Sequence, residues 1–171
     1  MGSTTPTSDS SYTLRNHRSG DIGWIIHRHG ILYSQEYGWD ERFEGLVASI
    51  AGDFIKNYDP QVERCWIAER DNTFLGSIML VKDASSNENA AKIRLLLVEP
   101  SARGLGLGRA LVRQCVEFAR EAGYSYVRLW TQSELVSARR IYGREGFVHV
   151  ASEDHASFGV KMVGEIWELK L

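Results

Sequence analysis

The chain has 171 residues, of which 43% are hydrophobic and 25% charged, with 20 basic and 22 acidic side chains. These figures are typical of one globular domain with a hydrophobic core, and they exclude a disordered or fibrous chain. The net charge of −2 argues against a protein that coats nucleic acid, because such binding needs an excess of cations on the protein surface.

The cysteines and the hydropathy pattern indicate the cellular setting. Cys65 and Cys115 are too few for a disulfide scaffold, and no Cys/His spacing resembles a zinc site. No apolar run approaches the length of a membrane-spanning helix, and the first residues lack the apolar segment of a signal peptide. We therefore expect a cytoplasmic protein with no metal and no membrane partner, and a disordered Ser/Thr-rich tail over residues 1–11.

The hydrophobic pattern divides the rest of the chain into strands and helices. In chain order, we predict a strand over 12–15, a helix over 22–36, a second helix between Asp40 and Asn57, strands over 65–68, 74–81 and 93–98, a helix over 107–122, a strand over 126–130, a helix over 135–144, and strands over 147–150 and 162–171. This order favours an α/β domain with a mixed sheet and helices on both faces.

Several of these elements have recognisable ends. Gly38 ends the first helix, and Asp40 caps the second because its side chain can accept from free N–H groups of the first turn. Asp71-Asn72 is typical of a hairpin turn between two strands. Gly123 suits the left-handed position that closes the long helix.

The most informative segment lies between the strand over 93–98 and the helix over 107–122. It is Val98-Glu99-Pro100-Ser101-Ala102-Arg103-Gly104-Leu105-Gly106-Leu107-Gly108-Arg109-Ala110. Glycines leave room for a bulky anion to approach the backbone, and the free N–H groups and dipole of a helix N-terminus favour negative charge. Arg103 and Arg109 add charged donors beside it. The segment therefore predicts a cradle for a diphosphate, with a ligand-free glycine-rich connection as the alternative.

The glycine spacing separates this loop from two common phosphate-binding motifs. A dinucleotide fingerprint needs G-x-G-x-x-G, but in the two possible registers its last position falls on Arg109 or Leu111. A P-loop needs Gly-Lys-Ser/Thr, and the segment contains no lysine. The pattern Arg103-x-x-Gly106-x-Gly108 after V-x-P instead resembles the acetyl-CoA-binding motif R/Q-x-x-G-x-G/A of the GNAT acetyltransferase superfamily.

A second segment carries the same resemblance. Residues 138–147, A-R-R-I-Y-G-R-E-G-F, are similar to the superfamily's A-x-x-L/I-Y-x-x-x-G-F. The likeness covers residues 64–150 well and the remainder more loosely. Residues 38–40, 155–159 and 164–169 look closest to GNAT domains that are fused to MarR-type regulators. We expect no winged-helix domain here, because too few residues precede the predicted fold.

The resemblance implies a single N-acetyltransferase domain over residues 12–171. Its sheet would be mixed, mostly antiparallel and seven-stranded, with splayed central parallel strands. The backbone of Leu96, Leu97 and Val98 would hold the pantetheine arm of acetyl-CoA. The pyrophosphate would be held by Arg103, Gly104, Leu105, Gly106, Leu107, Gly108, Arg109 and Ala110. A homodimer is common in the superfamily and is possible here.

The resemblance also implies a mechanism. A primary amine on a small molecule or peptide attacks the thioester directly within a ternary complex. Tyr142 occupies the superfamily's tyrosine position, where it would stabilise the leaving thiolate. The tetrahedral oxyanion needs a backbone N–H donor in a dry site.

The general base is open, because the central strand carries Lys92 and Arg94 where many members of the superfamily have a carboxylate. The candidates are Glu36, Glu41 and His155. Arg94 either faces the acceptor and favours a carboxylate on it, or pairs with a neighbouring acid as an exposed strand residue. His27 and His29 are a poor metal chelate, because residues two apart on a helix do not face each other.

We therefore predict an acetyl-CoA-dependent N-acetyltransferase. The main alternative is a catalytically silent module that binds acyl-CoA or contacts a regulator. Such a module would need the glycine-rich loop and its helix, whereas only an enzyme would also need Tyr142 and a cleft for the amine. A nucleotide-binding domain of the Rossmann type is disfavoured by the glycine spacing.

Overall fold

The computed structural model describes residues 12–171, and the tail predicted over residues 1–11 lies outside the described residues. The strands are β1 (Thr13–Asn16), β2 (Arg64–Arg70), β3 (Thr73–Lys82), β4 (Ala90–Val98), β5 (Tyr126–Gln132), β6 (Val148–His155) and β7 (Met162–Lys170). The helices are α1 (Asp21–Tyr37), α2 (Glu41–Asn57), α3 (Leu107–Glu121) and α4 (Val136–Arg144).

The strands form one mixed sheet in the order β1-β2-β3-β4-β5-β7-β6. Among the strands of residues 12–171, β4 and β5 are the one parallel pair, and every other neighbouring pair is antiparallel. The prediction of a mostly antiparallel, seven-stranded mixed sheet is confirmed.

Helices cover both faces of this sheet, as predicted. On one face, the apolar side of α3 packs against β3, β4 and β5 in the larger core, in which Leu111 and Cys115 are fully buried. On the other face, Ile25 of α1 and Phe54 of α2 pack against Met79 and its neighbours.

The turn residues occupy the conformations that the sequence indicates. Gly38 follows α1 with φ 70°, and the Asp40 carboxylate accepts from the N–H of Arg42 at the start of α2. Asp71 and Asn72 both have positive φ, as the tight hairpin between β2 and β3 requires. These local signals are confirmed.

The parallel pair at the centre of the sheet separates along its length. β4 and β5 pair only over residues 90–92 and 126–128, although β4 continues to Val98 and β5 to Gln132. The splayed central strands are therefore confirmed.

β4 is also interrupted by a β-bulge against β3. Arg94 pairs with Met79 and Leu97 with Ser77, so two residues of β4 stand opposite one residue of β3. Leu95, inside the bulge, has φ 54°. A left-handed leucine is strained, and such strain is typical of functional sites.

Two segments differ from the prediction. β6 extends to His155, so this histidine ends a strand instead of lying in a loop. The residues of β6 are almost all exposed, which removes the alternation of polar and apolar residues that would indicate its full length. Pro100–Ala102 forms a 3₁₀ turn where we expected no helix, because proline is well suited to the first helical position.

Candidate functional site

A cavity of about 620 Å³ lies between the glycine-rich loop, β4, α1 and α4. Of the eleven residues predicted to hold a bound cofactor, nine line it: Leu96, Leu97, Val98, Arg103, Gly104, Gly106, Leu107, Gly108 and Arg109. Leu105 is 41% exposed and Ala110 is half-buried, and neither belongs to the wall. We call this space the large cavity.

The N-terminus of α3 presents free N–H groups at this cavity. The first backbone bond of the helix runs from the Ala110 N–H to the Gly106 carbonyl oxygen at 3.1 Å, so the N–H groups of residues 107–109 have no partner within the helix. Gly106 stands at the N-cap with φ 70° and has no side chain to satisfy them. Such a helix end is suited to an anion.

The charged side chains on the cavity wall also favour an anionic ligand. Arg103, Arg109 and Arg144 line the large cavity together with one carboxylate, Glu36. Arg103 forms an ion pair with Glu36, so the loop arginine is held by α1.

Arg109 is held by Glu145, the residue that follows α4. Its Nε lies 2.5 Å from Glu145, which also accepts from Arg113 at 3.1 Å. Burial would raise the pKa of the Glu145 carboxyl, but these two arginines outweigh burial and lower it. The carboxylate is therefore charged at neutral pH and fixes the position of Arg109.

A further ion pair positions the loop, and no local sequence pattern predicts it. Arg28 of α1 binds Glu99 in two places, with Nε at 2.6 Å and Nη2 at 2.8 Å from the carboxylate oxygens. Glu99 is buried directly after β4. The spacing of 71 residues between the partners hides this contact from any local pattern.

A smaller cavity of about 100 Å³ adjoins the large one on the side of the splayed strands. Its wall is mainly aromatic and aliphatic and includes Tyr33, Trp39, Phe43, Trp130 and Phe158. Arg94 is the one formally charged residue among the described residues that line it. We call this space the small cavity.

Tyr142 of α4 lines the small cavity and is absent from the wall of the large one. Its ring is 5% exposed and packs near Phe147, with ring centroids 5.9 Å apart. Burial, reinforced by the nearby Tyr33, raises the pKa of Tyr142. The phenol therefore keeps its proton at physiological pH and can donate a hydrogen bond.

The two cavities meet at residues that belong to both walls: Tyr33, Leu96, Leu135 and Ala138. The Tyr33 hydroxyl lies 3.5 Å from the carbonyl oxygen of Leu96, inside the bulged part of β4. Sequence analysis did not single out Tyr33, although it precedes Glu36 by one helical turn on α1. A ligand that extends from the large cavity into the small one would pass this point.

None of the three candidate general bases lines the small cavity. Glu36 lies in the large cavity, bound to Arg103, and Glu41 is exposed at the start of α2. His155 accepts from the Ser157 N–H at Nδ1 and donates from Nε2 to the Gln132 side chain at 2.7 Å.

His29 is the one histidine of the small cavity wall. It donates from Nδ1 to the Ile25 carbonyl oxygen at 2.8 Å, and burial lowers its pKa to about 4. It is therefore neutral at physiological pH and a weak base. His27, on the same helix, is exposed, so the two side chains do not converge on one point.

Two further properties concern the described residues as a whole. Residues 12–171 contain no helix with the length and apolar character needed to cross a bilayer. Both cysteines are free and fully buried; burial raises the pKa of Cys65 to about 12 and that of Cys115 well above its ordinary value.

Comparison with known proteins links this architecture to one family. The sequence model of the acetyltransferase (GNAT) family matches residues 27–147. Human N-acetyltransferase 8B is 31% identical over 112 residues, which cover 64% of this chain and 49% of that protein. The chain thus spans about half the length of this curated relative.

Solved structures show the same fold. A protein from Salmonella typhimurium, solved with its cofactor acetyl-CoA, has a TM-score of 0.72 at 19% identity and covers 94% of each chain. Spermidine N-acetyltransferase from Vibrio cholerae, solved with CoA and spermine, has a TM-score of 0.71 at 18% identity. That superposition covers 95% of this chain and 96% of the Vibrio chain. At these identities the likeness is one of fold.

Proposed function

Since the chain belongs to the acetyltransferase (GNAT) family, whose co-substrate is acetyl-CoA, we propose that it transfers the acetyl group of acetyl-CoA to a primary amine. The observation that carries this proposal is the meeting of two unlike cavities where β4 and β5 separate. One is lined by arginines and free N–H groups, and the other by aromatic rings. Such a pair suits an anionic donor on one side and a smaller acceptor on the other.

In this proposal, acetyl-CoA occupies the large cavity. The N–H groups of residues 107–109 bind the pyrophosphate, and Arg103 and Arg109 supply charged donors. The backbone of Leu96, Leu97 and Val98 holds the pantetheine arm, as the family resemblance implies. The thioester then lies at the junction of the two cavities, beside Tyr33 and Leu96.

Direct attack by the amine fits the chemistry of the described side chains. An acyl-enzyme mechanism would need an activated nucleophile such as a thiolate. Cys65 and Cys115 are buried and their raised pKa values keep both thiols protonated, so neither supplies one. The amine nitrogen bonds to the thioester carbon, the C–S bond breaks, and the ammonium proton leaves to solvent.

Tyr142 is proposed to stabilise the thiolate as it forms. With ordinary pKa values near 10 for a phenol and 8.5 for a thiol, full proton transfer is uphill by roughly 2 kcal/mol. Because burial raises the pKa of Tyr142, complete transfer is more costly still. A hydrogen bond to the developing thiolate is therefore the role that its chemistry favours.

The lack of a carboxylate on the described wall of the small cavity leads to a prediction about pH. We expect kcat/KM to rise about tenfold per pH unit between pH 6 and the pKa of the acceptor amine, because only the neutral amine attacks. His29, with its pKa lowered to about 4, would add no inflection in this range. A pH–rate profile measured with two amines of different pKa checks this; an inflection that stays at one pH for both amines would contradict it.

The proposal as a whole is tested with purified protein, acetyl-CoA and a panel of primary amines. Release of free CoA is followed with a thiol reagent, and the acetylated product is identified by mass spectrometry. Calorimetry with acetyl-CoA is the parallel measurement. Binding without transfer to any amine would replace the enzyme by the silent acyl-CoA-binding module, and absence of binding would reject both.

Four finer predictions complete the proposal. A cytoplasmic setting agrees with the two free, buried thiols. The acceptor is proposed to be a small molecule or a peptide amine, and a homodimer is proposed as the assembly. The closer likeness to domains fused to MarR-type regulators rests on residues 38–40, 155–159 and 164–169.

A further inference from the structure

The small cavity contains an arginine without a partner. Arg94 is half-buried in its wall, yet within residues 12–171 its guanidinium has no hydrogen bond or ion pair. Burial lowers the pKa of Arg94, opposed by the field of Asp83, but a guanidinium stays charged at physiological pH. Its nitrogens are not sealed inside the protein, so the N–H donors of this guanidinium are available to a ligand in the small cavity.

The neighbouring acids do not supply the missing anion. Asp83 lies 3.1 Å from Lys92 Nζ and 3.7 Å from Arg128 Nη1, so it is shared by two other cations. Arg128 is in turn held by Glu168 at 2.6 Å. The described wall of the small cavity includes no carboxylate. The alternative in which Arg94 is an exposed strand residue paired with an acid is therefore not what the structure shows.

The rest of the wall restricts what can bind beside Arg94. The volume of about 100 Å³ is close to the share of three water molecules, at roughly 30 Å³ each. The surrounding rings of Trp39, Phe43, Trp130 and Phe158 offer apolar contact and little hydrogen bonding. A ligand with an anionic group and few other atoms matches this space.

We infer that Arg94 binds the carboxylate of the acceptor, and that the acceptor is a small free amino acid. This inference rests on the proposed acetyl transfer, whose amine would stand near Leu96 at the cavity junction. Arg94 and Leu96 lie on either side of Leu95 in the bulge, and both line the small cavity. An α-amino acid in that cavity can therefore reach both. Polyamines are disfavoured because Arg94 repels additional positive charge.

The test compares acceptors that differ in the carboxylate: L-alanine, L-alaninamide, ethylamine and spermine. With the wild-type protein, alanine is expected to have the highest kcat/KM once each value is divided by the fraction of neutral amine at the assay pH. In Arg94→Gln, the ratio of kcat/KM for alanine to that for alaninamide should fall about 10- to 100-fold, mainly through KM, because a hydrogen-bonded charge pair is lost. Comparing this ratio between the wild type and Arg94→Gln cancels the different basicities of the two amines, because each amine has the same neutral fraction in both assays.

Two further variants complete the comparison. Arg94→Lys keeps the charge and should retain part of the preference for alanine. Arg120→Gln makes the same replacement at an exposed position of α3 and should change nothing. Arg94→Gln should also melt at or above the wild-type temperature, since it removes an unpaired charge; a clear fall would indicate a structural role instead.

The results separate this inference from the proposed function. An unchanged ratio in Arg94→Gln overturns the inference while acetyl transfer stands. If no amine is acetylated, calorimetry of the CoA-loaded protein with propionate still tests whether Arg94 binds a carboxylate. Binding that Arg94→Gln abolishes supports the carboxylate site without catalysis, and absence of binding rejects it.

Discussion

Replacing Gly106 by valine is expected to weaken acetyl-CoA binding about 100-fold, the loss of one or two charge-assisted hydrogen bonds. Gly106 caps α3 with φ 70° at the wall of the large cavity, and a β-carbon built there meets no atom within 4 Å. The added branches would therefore stand in open space and keep a diphosphate from the N–H groups of residues 107–109. Calorimetry with acetyl-CoA measures the change.

A matched control separates this effect from backbone strain. Gly20 caps α1, also has positive φ (96°) and also has open space around a built β-carbon, but it does not line the large cavity. A β-branched residue in the left-handed region costs roughly 1–2 kcal/mol at either position. Gly20→Val should therefore melt several degrees lower yet bind acetyl-CoA normally. Equal losses of affinity in both variants would remove the loop from the proposed cofactor site.

Replacing Tyr142 by phenylalanine is expected to lower kcat by one to three orders of magnitude while the affinity for acetyl-CoA stays the same. The ring that packs near Phe147 is kept, and only the donor for the developing thiolate is lost. The size of the effect is typical of the loss of one hydrogen-bond donor to a charge that develops in the transition state. Steady-state kinetics at saturating acetyl-CoA, together with calorimetry, measure the two quantities.

Tyr124 provides the comparison for this substitution. Its hydroxyl donates to the Val62 carbonyl oxygen at 2.9 Å, and it lines neither cavity. Tyr124→Phe should cost about 1 kcal/mol of stability, one neutral hydrogen bond, and leave kcat unchanged. A Tyr142→Phe variant that turns over at the wild-type rate would exclude Tyr142 from the reaction.

Local patterns were sufficient to predict most strands and helices and the glycine-rich loop of the candidate site, whereas the seven-stranded, mostly antiparallel sheet was implied by the family resemblance. The mixed sheet, Asp40 as an N-cap and the Asp71-Asn72 turn follow from periodicity and from residues that favour one backbone conformation. The loop around Gly106 was recognisable because its glycines, arginine and helix are consecutive in sequence. Each of these features is defined within a few residues of the chain.

The features that were missed depend on contacts between distant segments. Arg103 is held by Glu36 and Glu99 by Arg28, and neither pair has a sequence spacing that marks it. The environment of Arg94 depends on how far β5 diverges from β4, which no pattern in either strand encodes. β6 was predicted too short because an edge strand with exposed residues has no periodic signal.

The burial of Cys65 and Cys115 has a practical consequence. Since both native thiols are shielded and hard to deprotonate, a cysteine introduced at Val136, which is 49% exposed at the start of α4, would be the one readily alkylated position. A fluorophore attached there would sit beside Leu135 and Ser137, both part of the large cavity wall. The native chain is thus ready for single-site labelling without prior removal of its own sulfhydryls.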